Sequence, residues 1–148
     1  MILIIGAGFL GKAIYAKLEK EGHAVRAFSR NANSGIPNLI KGDISKISDN
    51  LSIFKGVHTI IYTAHTTVPA SAHKQELFDV ETNVIPFIKF LNAARGSSID
   101  RMIYVSTGGA IYGNNQSNTI SSENSPTVPI SSYGISKLAI EKQLLLNK

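Results

Sequence analysis

Apolar residues along this chain follow two alternating periods, and the alternation predicts strands and helices in turn. Short runs rich in β-branched and aromatic residues, such as 57–62, are typical of strands. Apolar residues that recur at helical spacing, as Leu10, Ile14 and Leu18 do, are typical of a helix. In chain order the pattern predicts strands at 2–5, 24–28, 38–41, 57–62 and 101–106, and helices from Leu10 until Gly22 and at 45–54, 73–95 and 133–146.

Strands separated by helices imply βαβ units and a parallel sheet covered on both faces. We therefore predict an α/β fold, a doubly wound parallel sheet, as one domain over 1–148. The nearly continuous apolar run 101–106 predicts a buried parallel strand, and Pro86 predicts a kink or a break in the helix 73–95. The polar stretch 113–132 resembles a linker in composition, but its place between a strand and the last helix favours an active-site flap.

Composition narrows the function classes. The 148 residues carry a net charge of +5 and no cysteine, which excludes disulfides, thiolate nucleophiles and sulfur-ligated zinc. The four histidines show no metal-ligand spacing, so we expect no metal. Lysines and arginines are dispersed along the chain, so we expect no nucleic-acid partner. The positive charge suits binding of a polyanionic small molecule, or it belongs to an ordinary solvated surface. No apolar run approaches the roughly 20 residues of a membrane span, so we expect no membrane partner and a cytoplasmic protein.

A glycine motif follows the first predicted strand and begins the first predicted helix. Gly6, Gly8 and Gly11 match GxGxxG, with Phe9 and Leu10 between the last two glycines. Glycines let the backbone turn tightly and let a pyrophosphate approach, while the N–H groups of a helix start supply partial positive charge. This context predicts a dinucleotide site, with a tight turn that holds no ligand as the alternative.

The ends of the next two predicted strands bear on the choice of dinucleotide. An NAD site usually carries an acid at the end of the second strand, where this chain has Ser29 and Arg30. A hydroxyl and a guanidinium suit a 2′-phosphate, so we favour NADP over NAD, although an exposed loop arginine would look the same. Asp43 could contact the adenine amino group or could be an ordinary turn aspartate.

The last predicted helix begins with a tyrosine and a lysine four positions apart, Tyr133 and Lys137. Their spacing places both side chains on one helix face. A tyrosine is a poor base at neutral pH unless a cation stabilises its phenolate, so the pair could act as an acid/base. An exposed helix pair without function is the alternative, and the glycine motif in the same fold favours the functional interpretation.

These residues together resemble the extended short-chain dehydrogenase/reductases, specifically the NAD-dependent epimerase/dehydratases that act on sugar nucleotides, with a Rossmann-type domain. The resemblance spans nearly the whole chain and includes further segments in the family's order. They are Gly42-Asp43, Tyr62-Thr63-Ala64-His65, Thr82-Asn83-Val84, 105–113, Glu123 with Ser125-Pro126, and 132–141.

The resemblance implies a transient oxidation of a nucleotide-sugar. Tyr133 would take a sugar hydroxyl proton, hydride would pass to the nicotinamide, and Lys137 would lower the tyrosine pKa and hold the ribose. Ala64 and Asn83 would lie beside the cofactor, with a solvated polar residue at a kink as the alternative for Asn83. Family members commonly pair through the long helices, here those around Phe87 and Leu144, so a homodimer is possible on this basis.

The chain departs from the family pattern at three places. Ile4 and Ile5 replace a Thr-Gly pair, which leaves the shorter GxGxxG form. The family's catalytic Ser or Thr falls at Gly108, so Ser106 or Thr107 must substitute, and we favour Thr107.

The third departure is at the C-terminus, where we expect the chain to lack the family's substrate domain. We therefore expect the strand 101–106 to lie at an exposed edge of the sheet. Either a partner covers this edge or the chain is a fragment of a longer protein. An isolated chain should be weakly active or inactive. A non-catalytic regulatory module of the same fold, or a structural role, is the alternative.

Overall fold

The computed structural model describes residues 1–31, 35–67, 76–113 and 120–146. The predicted start of the long helix at His73 and residues 114–119 of the predicted flap lie outside these ranges. The strands are β1 Ile2–Ile5, β2 Val25–Ser29, β3 Leu39–Lys41, β4 Thr59–Tyr62 and β5 Arg101–Tyr104. The helices are α1 Phe9–Lys20, α2 Glu76–Asp79, α3 Ile85–Ala94, α4 Gly108–Ile111 and α5 Ser132–Leu145, with a 3₁₀ segment at Ile44–Phe54 and a π turn at Val80–Val84.

Across the described residues, the strands form one parallel sheet in the order β3-β2-β1-β4-β5. This order and the helices between strands confirm the predicted doubly wound α/β class. The register pairs Ile5 of β1 with Phe28 of β2 and with Tyr62 of β4. The carboxyl ends of β1, β2 and β4 therefore lie along one edge of the sheet, where ligands bind in folds of this kind.

The sheet lies in the first of two compact units, residues 1–65 and 86–105. Ile4 packs with Tyr15 of α1 and with Ile61 in one apolar cluster. Tyr62, the next residue along β4, contacts the rings of Phe87 and Phe90 of α3, with centroid distances of 4.8 and 5.3 Å. Because successive side chains of a strand point to opposite faces, the unit buries both faces of its central strands.

The strand 101–106 lies at the exposed edge that was expected for it, and the burial predicted from its apolar run alone is wrong. β5 ends at Tyr104, its residues alternate between exposed and half-buried, and the side chain of Ile103 is 44% exposed. The reason is its place in the sheet, because β5 is an edge strand that pairs only with β4 in the described part of the chain. An apolar run can mark an edge as well as a buried centre.

The kink or break predicted at Pro86 takes the form of a π turn just before it, and the helix itself is not interrupted there. The π turn runs up to Val84, and the N–H of Ile85 bonds to the carbonyl of Val80, five residues earlier, before α3 continues. Proline has no N–H to donate to the preceding turn, so a regular α-helix cannot run through it without losing a bond. Single π turns inside helices occur frequently at functional sites.

The second unit comprises residues 66–85 and 106–148. Within it α2, α4 and the π turn each contact α5. Ser131 caps α5, because its hydroxyl accepts a bond of 3.1 Å from the N–H of Gly134. The cap sets where the helix begins and so places Tyr133 in its first turn.

Candidate functional site

The turn after β1 depends on Gly6. Its φ of +99° is a conformation that other residues rarely adopt, and an added Cβ would lie 2.7 Å from the backbone N of Ala64. The hydroxyl of Thr63 donates to the carbonyls of Gly6, at 2.8 Å, and of Ile5, at 3.1 Å. These contacts hold the turn against the residues that follow β4, and Ala64 is one of the residues next to Gly6.

Gly11 and Gly8 differ in what surrounds them. A Cβ on Gly11 would fall on the carbonyl oxygen of Gly6, whereas one on Gly8 would meet nothing within 4 Å. Gly8 precedes α1 without a side-chain cap, and Phe9, the first helical residue, is 95% exposed, with Leu10 also exposed. An uncapped helix start beside open space fits a dinucleotide pyrophosphate.

Arg30 and Asp43 lie at the ends of β2 and β3 in the same unit. The N–H of Gly42 donates to the carbonyl of Ser29 at 3.0 Å, which holds the two strand ends together. Asp43 caps the 3₁₀ segment by accepting from the N–H of Ser45 at 2.9 Å. That bond is the main reason why the pKa of Asp43 lies below its usual range, and the charge of Arg30 lowers it further. The capping role accounts for Asp43 without a ligand, and an adenine contact stays a prediction.

Tyr133 and Lys137 are brought together in the first turns of α5. The Lys137 ammonium lies 5.7 Å from the centroid of the Tyr133 ring. Lys137 is only 4% exposed, so the alternative of an exposed helix pair does not hold for the lysine. Burial lowers the pKa of Lys137 to about 8, and the charges of Asp79 and Glu141 oppose that effect. The lysine is a buried cation at neutral pH.

The pKa of Tyr133 is raised and not lowered, contrary to the expectation from its neighbour. Burial is the largest cause, the Asp79 carboxylate adds to it, and a hydrogen bond with the Thr107 side chain works in the opposite direction. A half-buried phenol loses solvent stabilisation of its phenolate, and the Lys137 charge is not among the causes that set this pKa. Tyr133 is thus poised as an acid before any ligand arrives.

Thr107, the residue favoured as the substitute for Gly108, has its side chain on Tyr133. It occupies the N-cap position of α4, yet its hydroxyl makes no capping bond there. A threonine at this position ordinarily bonds to the first turn of its own helix. Gly108 is the first residue of α4 and is exposed. The buried hydroxyl of Ser106 has no hydrogen-bond partner among the described residues, so a ligand could satisfy it.

Thr107→Val keeps the side-chain shape and removes the hydroxyl, and it is expected to raise the pKa of Tyr133 further. The reason is that the Thr107 hydrogen bond lowers this pKa in the native chain. Nuclear magnetic resonance of ¹³Cζ-labelled tyrosine gives the titration midpoint, with Tyr133→Phe assigning the signal. Thr107→Ser should stay close to the native midpoint, and an unchanged midpoint in Thr107→Val would contradict the contact.

Asn83 is 4% exposed, so the alternative of a solvated residue at a kink is wrong. Its amide oxygen accepts from the N–H of Thr66 at 2.7 Å, and its amide nitrogen donates to Asp79 Oδ1 at 2.7 Å and to Thr67 Oγ1 at 3.3 Å. The Thr67 hydroxyl also donates to Asp79 Oδ1. Asn83 therefore ties the loop after β4 to the π turn within the second unit.

Two residues of this region were missed by the sequence reasoning. Asp79 lies on the short helix α2 and is wholly buried. Gly134 lets α5 approach α4, because a Cβ there would lie 2.5 Å from the carbonyl of Ala110. A glycine in the first turn of a predicted helix could have signalled this close approach, whereas nothing local distinguishes Asp79 from a surface acid.

The predicted site residues thus fall into two groups. The first unit holds Gly6, Gly8, Phe9, Leu10, Gly11, Ser29, Arg30, Asp43 and Ala64, and the second holds Asn83, Ser106, Thr107, Tyr133 and Lys137. In the described ranges no group of three or more acidic or histidine side chains is placed to bind a metal ion. Over the same residues, no helix combines the length and hydrophobicity that crossing a bilayer requires.

Comparison with known proteins extends over nearly the whole chain. A family model described as NAD dependent epimerase/dehydratase family matches residues 2–146. A UDP-glucose 4-epimerase of Corynebacterium glutamicum is 29% identical over 143 residues, which cover 92% of this chain and 43% of that protein.

Solved structures of UDP-glucose 4-epimerases are also similar to this chain. A UDP-glucose 4-epimerase of Thermotoga maritima with UDP-glucose is 27% identical with a TM-score of 0.86, over 98% of this chain and 50% of that one. A UDP-glucose 4-epimerase of Thermus thermophilus in complex with NAD is 25% identical with a TM-score of 0.88, over 98% and 50%. The chain spans about half the length of the curated relatives that it matches.

Proposed function

The chain belongs to the NAD dependent epimerase/dehydratase family, as its motifs predicted, and on this premise we propose that it provides the cofactor half of a nucleotide-sugar-modifying enzyme. Its first unit holds a nicotinamide dinucleotide on the glycine turn, and its second unit provides the acid/base. The observation that carries this is the start of α5, where Thr107 bonds to Tyr133 and the buried Lys137 lies over the ring.

The glycine turn binds the pyrophosphate through the backbone. The start of α1 has no side-chain cap and a Cβ on Gly8 would meet nothing within 4 Å, so backbone N–H groups could bind the pyrophosphate without a charged side chain. When bound, the nicotinamide accepts and returns a hydride at a sugar carbon. Arg30 and Ser29 favour the 2′-phosphate of NADP, while the solved relative from Thermus thermophilus is a complex with NAD, so both dinucleotides enter the test.

Tyr133 transfers the proton. As the phenolate, Tyr133 would take the proton of a sugar hydroxyl while the hydride of the C–H bond passes to the nicotinamide, and the resulting phenol would return that proton when the hydride comes back. Because its pKa is raised, the Tyr133 phenolate needs stabilisation in the complex, and we assign this to the Lys137 ammonium beside the ring and to the Thr107 hydroxyl, whose hydrogen bond lowers the pKa. Ser106 offers an unsatisfied hydroxyl for the sugar or the nicotinamide.

The substrate class is a nucleotide-sugar, because relatives that match the chain are UDP-glucose 4-epimerases. Among epimerisation, dehydration and reduction, the residues described here do not select one. Weak or no turnover of the isolated chain stays a prediction. A homodimer through the long helices and a cytoplasmic location stay predictions.

The test is a fluorescence titration of the chain with NADH and, separately, with NADPH. Saturable binding of at least one is expected, and Gly8→Ala should weaken it about tenfold or more, because a methyl group would occupy the approach of the pyrophosphate. Ala16→Ser, an exposed position in the same helix, is the matched control and should bind as the native chain does. Absence of saturable binding for both dinucleotides would reject the cofactor assignment.

A further inference from the structure

The described residues bury five polar or charged side chains, and all five belong to the second unit. They are Thr67, Asp79, Asn83, Ser136 and Lys137. Asp79 is the most deeply buried of them, at 0% exposed. A carboxylate removed from water needs both hydrogen bonds and an opposite charge, or it becomes protonated.

Two hydrogen bonds to Asp79 come from neutral groups. Thr67 Oγ1 and Asn83 Nδ2 both donate to its Oδ1, the latter at 2.7 Å. These bonds orient the carboxyl group without neutralising it. The complementary positive charge is that of Lys137, which is also buried and lies on α5, the helix that α2 contacts. The Asp79 charge accordingly raises the pKa of Lys137.

Lys137 has the complementary requirement. Its ammonium is 4% exposed and lies over the Tyr133 ring, whose quadrupole provides only part of the stabilisation lost with water. Of the other elements packed against α5, the π turn carries the exposed Glu81 and α4 carries no titratable side chain. On α5 itself, Glu141 and Tyr133 face the lysine.

We propose that Asp79 is a positioning residue of the Tyr133–Lys137 pair, a buried counter-charge that holds the Lys137 ammonium in its place over the tyrosine ring. The proposal deepens the proposed function and rests on it for the role of Lys137. Asp79 touches neither cofactor nor substrate in this scheme. It acts through the lysine, and Thr67 and Asn83 act through Asp79.

The arrangement has two electrostatic consequences. The carboxylate favours the protonated lysine, against the burial that lowers the pKa of Lys137 to about 8. The same carboxylate disfavours the phenolate and contributes to the raised pKa of Tyr133. Asp79 thus keeps the lysine a cation and the tyrosine an acid in the ligand-free chain.

The experiment measures both pKa values in the ligand-free chain by nuclear magnetic resonance, with ¹³Cε-lysine and ¹³Cζ-tyrosine labels. In Asp79→Asn the pKa of Lys137 should fall below about 8, and the pKa of Tyr133 should also fall. Glu141→Gln is the matched control, because Glu141 acts on Lys137 alone and should lower only the lysine value. A carboxyl group with a merely structural role would leave both values unchanged in Asp79→Asn, and that result would overturn the proposal.

A second measurement needs no variant. In the native chain the ¹³Cγ signal of Asp79 should shift as Lys137 titrates near pH 8, because the two charges sense each other. A flat Asp79 signal through that range would overturn the proposal even if Asp79→Asn failed to fold. These titrations use no cofactor, so a failed dinucleotide titration would reject the proposed function and leave the Asp79–Lys137 coupling intact.

Discussion

Gly11→Ala is expected to destabilise the chain by about 3 kcal/mol or more, because the new methyl group has no place to go. It would fall on the carbonyl oxygen of Gly6, with the Thr63 hydroxyl 3.0 Å away. Neither obstacle is a flexible side-chain end, since the carbonyl is backbone and the Thr63 hydroxyl is bonded to two carbonyls of the turn. Urea denaturation followed by circular dichroism gives the free energy of unfolding.

Gly8→Ala is the matched control, since a Cβ there meets nothing within 4 Å and the residue already has an extended φ of −76°. Its cost should stay within about 1 kcal/mol, the usual range for a change of cap residue. Gly6→Ala should resemble Gly11→Ala, because a φ of +99° and the Ala64 backbone both oppose a side chain. Equal stability of Gly11→Ala and Gly8→Ala would show that the turn relaxes, and the separation of folding glycines from a binding glycine would be wrong.

The fold was predictable because its strands are short, β-rich and separated by helical periodicity. Each predicted strand overlaps an observed one, and the differences are at the ends, as for 57–62 against Thr59–Tyr62. Boundaries depend on which backbone groups find a sheet partner, and no local pattern reports this. For the same reason the apolar run 101–106 alone wrongly predicted burial, because burial depends on strand order; its exposed edge was expected only from the resemblance to the family.

Of the candidate sites, the parts that depend on local chain geometry were predictable. The glycine turn and the Tyr133–Lys137 spacing each lie within a few residues, so their geometry follows from one turn or one helix, while their roles stay predictions. Asp79 was missed because its importance comes from contacts with a distant helix. The direction of the Tyr133 pKa was predicted wrongly because spacing reveals a cation but not the extent of burial, which is the larger cause.

The stability of the chain should rise between about pH 8 and pH 10 because of Lys137. The ordinary pKa of lysine is 10.5, and burial lowers that of Lys137 to about 8 in the folded chain. Above pH 8 the folded chain loses this proton while the unfolded chain keeps it. The unfolded state then binds more protons, and the free energy of unfolding increases with pH, by about 3 kcal/mol if the full difference were realised.

Two tyrosines set the upper pH limit of the range in which stability rises because of Lys137. Burial raises the pKa of Tyr62 and of Tyr133 above the ordinary 10, so the unfolded chain loses their protons first. Their contribution is complete below pH 10 and declines above it, opposite in sign to that of Lys137. The rise caused by Lys137 is therefore to be measured below pH 10, where the tyrosines do not yet oppose it.

Lys137→Met, which keeps the length of the side chain and removes its charge, isolates the lysine contribution. Urea titrations of both proteins from pH 7 to pH 10 should show unfolding free energies that diverge above pH 8, with the native chain gaining relative to the variant. A constant difference would mean that the folded chain keeps Lys137 at the ordinary lysine pKa, hence accessible to water. Divergence would mean that the buried Lys137 ammonium lowers the stability of the folded chain at neutral pH. Such a cost is expected where function requires a cation beside a tyrosine, because packing alone would favour an apolar residue at that position.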